Sequence, residues 1–388
     1  MRRRSHGPKL VAVTTYRLQA ALPEPLGWTH GVKTTAEALL VRVETEGGSD
    51  GWGECAGPPG VVEAAIHEVL APAILGQDGL QTDVLWHRGW NALGPWGRRG
   101  AGVGGLSGVD MALWDLKGHV RRCPASELFG GRFRERISCA ATGLYFREGP
   151  ETERIPSATA EARRLLESGN RAITIQLGRS VSADIALIRR LREALPDATL
   201  LAEAHGGFDL PEAIAVGRAL DDASFAGFND PLSPDGSEAE YPTLAGAIRT
   251  PVLSGGTAQT RFDVASAGRA GWQVNLAWCG GPTEAMRIRA VCHAAGLNVA
   301  PRTIGATPLG LAAAIHFLAS DARQPGRAES PAALLEREWP HSPLERLPAF
   351  SGLHLEDGVA QVPWTFGWGV VVDPEGFGDA LASETRSE

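Results

Sequence analysis

Thr199-Leu200-Leu201-Ala202-Glu203-Ala204-His205-Gly206-Gly207-Phe208 is an apolar run that ends abruptly in an acid, a histidine and paired glycines. This is the form of a buried parallel strand emptying into a loop at its C-terminal end, where barrel proteins carry their working residues. For one isolated strand, a solvated acid is the simpler account. Here the design repeats. From Arg136 onward the texture is strand, loop, helix. Strands are expected near Ile137, Arg171, Thr199, Phe225, Pro251, Trp272 and Leu297, and the last six are separated by 28, 26, 26, 21 and 25 residues. A further strand is expected at Leu334-Leu335-Glu336. The helices between them carry their own signals. Ile185, Ile188, Leu191 and Leu195 form one apolar stripe, and Asp209 with Glu212 around Pro211 marks a helix start. A run of parallel units this long is best satisfied by a closed barrel. Polar residues at successive strand ends predict a single pocket.

Upstream, Lys9 to Glu54 reads as an antiparallel sheet with a turn near Gly47-Gly48. Within it, Ala21 to Lys33 holds Pro23, Pro25, Gly27 and Gly31 and is expected to be a mobile loop. Trp28 and His30 at its tip are candidates to touch a ligand, or else plain cover. Ala56-Gly57-Pro58-Pro59-Gly60 reads as a second loop. Val61 to Leu75 reads as a helix. Another is expected from Ser107 to Val120, opened by Ser107 and Asp110 at capping-box spacing. Trp114 and Asp115 in it are assigned to packing and surface. The segment Gly352 to Asp373 is strand-like and is expected to return to the first domain, which divides the chain into 1–135 plus the tail 352–388, and a barrel over 136–340.

Composition narrows the function. The 388 residues are 43% hydrophobic and 21% charged, enough for a large core and two domains. With 37 basic and 45 acidic residues the net charge is -8, which argues against a nucleic-acid surface, and Arg2-Arg3-Arg4 is too short to reverse it. The apolar segment at Leu10 to Val13 is short and followed by threonines. Neither a signal peptide nor a spanning helix is expected, so no membrane partner is, and the expected location is cytoplasmic. Five scattered cysteines without CxxC spacing indicate neither disulfides nor a structural zinc site. The only lysines are Lys9, Lys33 and Lys117. P-loop, Gly-x-Ser-x-Gly and HExxH motifs are absent.

Four stretches bring a family into view: Gly51-Trp52-Gly53-Glu54-Cys55; Ser107 to Gly118; Gly280-Gly281-Pro282-Thr283-Glu284-Ala285; and Glu356-Asp357-Gly358 with Gly367-Trp368-Gly369-Val370. Together they resemble the mandelate racemase and muconate lactonizing enzyme branch of the enolase superfamily. The resemblance implies an α/β fold, a modified (β/α)7β TIM-like barrel under an α+β capping domain. It also implies proton abstraction next to a carboxylate, Mg2+ on the carboxylate oxygens, and symmetric homo-oligomers.

Residue by residue, most of that equipment is replaced. Thr174 and Gln176 stand where the family has a lysine pair and, with Asn229 and Asn275, are candidates to touch a ligand. The three metal positions fall on Glu203, Asn229 and Gly256, a histidine base on Arg302, its aspartate partner on Asn275, and a late-strand acid on Glu336. His205 takes the place of an asparagine. A one-residue shift would offer Asp230 for Asn229, but successive strand residues face opposite sides. One carboxylate and one amide hold Mg2+ far more weakly than three anionic ligands. The expectation is therefore a divergent member without a cofactor, which binds a small-molecule carboxylate or runs a metal-free reaction. Glu203, His205, Asp230 and Arg302, with Glu336, would form the acid-base and anion-binding set, and Arg302 would receive the carboxylate. The plainer alternative has Glu203 or Glu336 neutralising Arg302, and Asp230 facing outward. The competing enzyme reading is an acid-sugar dehydratase or racemase with an unusual Mg2+ site.

Overall fold

The computed structural model describes residues 7–147, 151–303, 305–322 and 334–388; Arg2-Arg3-Arg4 lies outside them. Three long strands open the chain: β1 (Leu10–Trp28), β2 (Gly31–Thr45) and β3 (Asp50–Cys55). They form an antiparallel sheet with the chain's last strand, Leu381–Ser387, on the outer side of β1. Helices over 59–74, Thr82–Ala92 and Ala101–Arg121 cover one face. Leu39, Val41 and Val43 pack there against Ile66, Leu70, Val109 and Leu113.

Two expectations fail in this part. The stretch from Ala21 to Lys33 is not a loose loop: β1 and β2 pair to the end of the hairpin, Trp28 opposite Gly31. Within this stretch the register breaks between Ala21 and Leu26, where Pro23 and Pro25 have no amide hydrogen to donate. Ser107 does not start a helix. It sits fully buried inside Ala101–Arg121, where its hydroxyl donates to the Val103 carbonyl and accepts from the Gly280 amide. A serine followed by an acid imitates a cap, but here both side chains serve contacts to the barrel.

The barrel consists of eight parallel strands: β4 (Arg136–Gly143), β5 (Ala172–Gln176), β6 (Leu200–Glu203), β7 (Gly227–Asn229), β8 (Val252–Ser254), β9 (Gly271–Val274), β10 (Asn298–Pro301) and β11 (Leu335–Glu338). β11 pairs back onto β4 and closes the ring. Between β10 and β11 the described link is the Thr303 hydroxyl on the Glu336 carbonyl. Every residue of β5 through β9 is buried, as a parallel sheet covered on both faces requires. Helices follow most strands; after β8 only a short 3-10 turn, Arg261–Asp263, replaces one. The Asp209/Glu212 start is a complete reciprocal capping box. The tail serves both bodies: Val359–Gln361 pairs with β4, while Leu381–Ser387 completes the cap sheet.

Buried carboxylates tie the cap to the barrel and to the tail. Asp110 accepts from the Thr283 amide (2.8 Å) and hydroxyl (2.7 Å). Asp115 accepts from the amides of Trp52 (2.9 Å) and Trp368 (2.8 Å), so it is packing, as expected, but not surface. Glu54 accepts from the amides of Thr307 and Gly310 at the start of helix Pro308–Ala319.

Candidate functional site

Strand register sets the barrel mouth. Gln176 pairs with Glu203, and Glu203 with Asn229, so the ends of β5, β6 and β7 lie side by side. Just beyond three strand ends the chain enters the left-handed region at non-glycine residues: Leu144 (φ 57), His205 (φ 50) and Asp230 (φ 40). Such turns cost energy unless the surroundings hold them, and they re-aim the side chains that follow a strand.

The guanidinium of Arg302 lies at the centre of the mouth. One nitrogen, Nη1, is 2.7 Å from Glu203 Oε2, 3.1 Å from Gln273 Oε1 and 3.8 Å from Asp230 Oδ2. The other, Nη2, donates to His205 Nδ1 at 3.1 Å. Arginine only donates, so Nδ1 carries no proton and the proton is on Nε2, which donates to Gln176 Oε1 at 2.7 Å. His205 is thus held neutral with both nitrogens engaged. Burial outweighs the pull of Glu203 and pushes it down to about 4. Burial alone would raise Glu203, but Arg302 and then His205 hold it below the usual carboxylate range. Burial, and then the charge of Glu203, push Asp230 up to about 7. Arg302 is raised despite its burial, because Glu203, Glu336 and Asp230 surround it.

Asp230 corrects the strand-alternation argument. β7 ends at Asn229, the left-handed turn follows, and the Asp230 carboxylate swings inward to accept from the amides of Gly255 (3.0 Å) and Gly256 (3.1 Å). A Cβ on Gly256 would lie 2.4 Å from Asp230 Oδ2 and 2.9 Å from Arg302 Nη1. The space of a side chain at Gly256 is therefore filled by Asp230 and Arg302. Sequence reasoning treated period two as running past the strand's end.

Above this cluster, cap and barrel enclose a chamber of about 1240 Å³. Trp28, His30, His205, Asp230, Asn275 and Arg302 line it. The cap hairpin reaches the mouth directly: the Trp28 ring meets His205 edge-on at 4.9 Å, and His30 Nε2 is 2.6 Å from the His205 carbonyl. Thr174, Gln176, Asn229, Glu203 and Glu336 do not line the chamber. They lie buried beneath the Arg302 and His205 layer, which corrects Thr174, Gln176 and Asn229 as ligand contacts. Asn275 lines the wall but spends its oxygen on the Ala277 amide. Glu336 accepts from the Thr142 hydroxyl at 2.6 Å and keeps one oxygen without a partner. Its neighbour of the same face, Glu338, does face the chamber, held by Tyr145 Oη (2.8 Å) and the Gly305 amide (3.0 Å). The Leu335-Glu336-Arg337-Glu338 alternation carried that signal, and Lys33 on the hairpin was also passed over.

Two expectations about charge receive a clear answer. The four side chains expected to work as an acid-base and anion-binding set do come together, but they satisfy one another. Arg302 is neutralised by Glu203, as the plainer alternative had it. A divalent metal fits this donor set poorly. Both Glu203 oxygens are taken, Gly256 supplies nothing, and the guanidinium lies where a second cation would have to sit. Asn229 Oδ1 lacks a partner, yet one amide oxygen is no substitute for two carboxylates. Among the described residues, no three His, Cys, Asp or Glu side chains are grouped to hold a metal ion. No helix among them is long and apolar enough to cross a membrane.

Comparison with known proteins fits this architecture. A D-galactarolactone cycloisomerase of Agrobacterium fabrum is 31% identical over 370 residues, 94% of this chain and 97% of that protein. A D-galactonate dehydratase of Xanthomonas oryzae pv. oryzae is 31% identical over 298 residues, 72% of this chain and 74% of that protein. The crystal structure of a racemase from Streptomyces coelicolor A3(2) with bound magnesium superposes with a TM-score of 0.83 over 96% of this chain and 100% of the other, at 24% identity. Residues 11–130 match the mandelate racemase/muconate lactonizing enzyme N-terminal domain and residues 157–376 the enolase C-terminal domain-like family. Sheet cap, closed barrel and matched sequence agree, and the chain belongs to the mandelate racemase/muconate lactonizing enzyme family of the enolase superfamily.

Proposed function

We propose that the chamber takes a small polyhydroxy carboxylic acid, with Arg302 in place of a divalent ion at the barrel mouth. The observation that carries this reading is the guanidinium 2.7 Å from Glu203 and 3.8 Å from Asp230, a cation that keeps its proton. The ligand class is supported by the relatives, whose names are those of acid-sugar dehydratases and lactone cycloisomerases. The change of chemistry is supported by the residues. Thr174 and Gln176 cannot abstract a proton, Arg302 stands at the histidine position, and both nitrogens of His205 are engaged. A positioned base is worth about 10²–10⁴ in rate. The protein therefore binds its acid or acts on it by a route that needs no metal. A cytoplasmic homo-oligomer is part of the same reading.

Calorimetric titration with millimolar Mg2+ and Mn2+ tests it. The expected result is no specific heat, together with a rise in melting temperature from acid sugars that does not depend on metal. The names of the relatives favour a second reading, an active acid-sugar dehydratase or cycloisomerase with an unusual Mg2+ site. Turnover of D-galactarolactone or D-galactonate that requires Mg2+ would establish that reading and end the first.

A further inference from the structure

Four strongly basic side chains line the chamber: Lys33, Arg99, Arg269 and Arg302. Three are already matched. Arg99 pairs with Asp263, Arg269 lies 2.7 Å from Glu238 and over the Tyr241 ring, and Arg302 pairs with Glu203. Among the described residues no acid lies within ion-pair distance of Lys33. We infer that Lys33, carried by the cap hairpin, receives the carboxylate of the ligand. This rests on the acid-binding reading above and names the residue that does the binding.

Position and charge both support Lys33 over Arg302. A Cβ on Gly305 would lie 3.6 Å from Lys33 Nζ and 4.0 Å from Glu338 Oε2, so the ammonium stands over the Gly305 turn, beside that acid. Glu338 is already occupied by Tyr145 Oη and the Gly305 amide. At Arg302 a second carboxylate would meet Glu203, Asp230 and Glu336, three acids around one guanidinium, and like charges at such distances repel strongly. A polyhydroxy acid needs one cation for its carboxylate and several acceptors for its hydroxyls. The lining of the chamber has that composition, with Glu37 among its acceptors. Lys33 is itself exposed, so its charge stays hydrated until a ligand arrives, and its replacement leaves the core untouched.

The test is calorimetric binding of D-galactonate, D-gluconate and D-galactarate, with galactitol as the uncharged control, to the parent protein, Lys33→Met and Lys33→Arg. At least one acid is expected to bind the parent. The same acid is expected to bind Lys33→Met about tenfold or more weakly, the scale of one lost charge-assisted hydrogen bond, and Lys33→Arg nearly as well as the parent. Added salt should weaken parent binding and leave the Met variant almost unchanged. Equal affinity of parent and Lys33→Met for the acid overturns the inference and leaves the acid-binding reading standing. Failure of every acid to bind the parent overturns both.

Discussion

The buried acids at the seam between cap and barrel and those at the barrel mouth differ in what they face. At the seam, Glu54 and Asp110 accept hydrogen bonds from backbone amides and threonine hydroxyls of the barrel, and beside them Asp115 accepts from the amides of Trp52 in the cap sheet and Trp368 in the tail. At the mouth, Glu203, Asp230 and Glu336 surround a single guanidinium. The seam acids belong to the stretches by which the fold can be read: Glu54 in Gly-Trp-Gly-Glu-Cys, Asp110 and Asp115 in the long helix, with their partners Thr283 and Trp368 in the other two stretches. The mouth is where this sequence departs from the family pattern. Folding and chemistry are therefore written in different residues, and a chain can keep the first text while replacing the second.

The largest test of this contrast is Arg302→Met. Removing the cation leaves Glu203 buried without its partner, and the expected loss is about 3–5 kcal/mol in urea unfolding. A variant as stable as the parent would mean that the mouth is not closed by the ion pair.

A second test sets His316 against His205. Both are held neutral and both are pushed down to about 4 by burial. His316 lies in the seam, where Nδ1 accepts from the Ser126 amide and Nε2 donates to the Trp368 carbonyl. Its folded value lies below its ordinary 6.5, so its contribution is fully present above pH 6.5 and is lost as pH falls toward 4. The whole effect is about 3 kcal/mol. In His316→Gln the fall of the urea midpoint between pH 6.5 and 4 should be shallower. An unchanged slope would show that His316 does not hold the seam through its neutral form.

The smallest effect is expected from Gly256→Ala. The new methyl must displace the Asp230 carboxylate and Arg302 Nη1, at a cost of about 1–2 kcal/mol. A fully stable alanine variant would show that Asp230 does not fill the space at Gly256.

The sequence by itself determined the barrel, because the period of strand and helix is local: all eight strands fall where the apolar runs and their spacing put them. It also determined the capping box at Asp209 and Glu212, a motif complete within four residues. It did not determine the hairpin of Ala21 to Lys33. Pro and Gly read locally as a loop, while the partner strand that straightens them is a tertiary matter. Substitution at the metal positions was legible, since it needs only the identity of a residue. The tertiary structure alone decided what replaced those side chains. Asp230 turns inward because the strand stops one residue before it, and Arg302 is neutralised because β10 faces Glu203 across the mouth, 99 residues away in sequence. The availability of a charge depends on which acids lie within a few ångströms of it. For Lys33, Arg99, Arg269 and Arg302 that distance was set by the closing of the barrel and the seating of the cap.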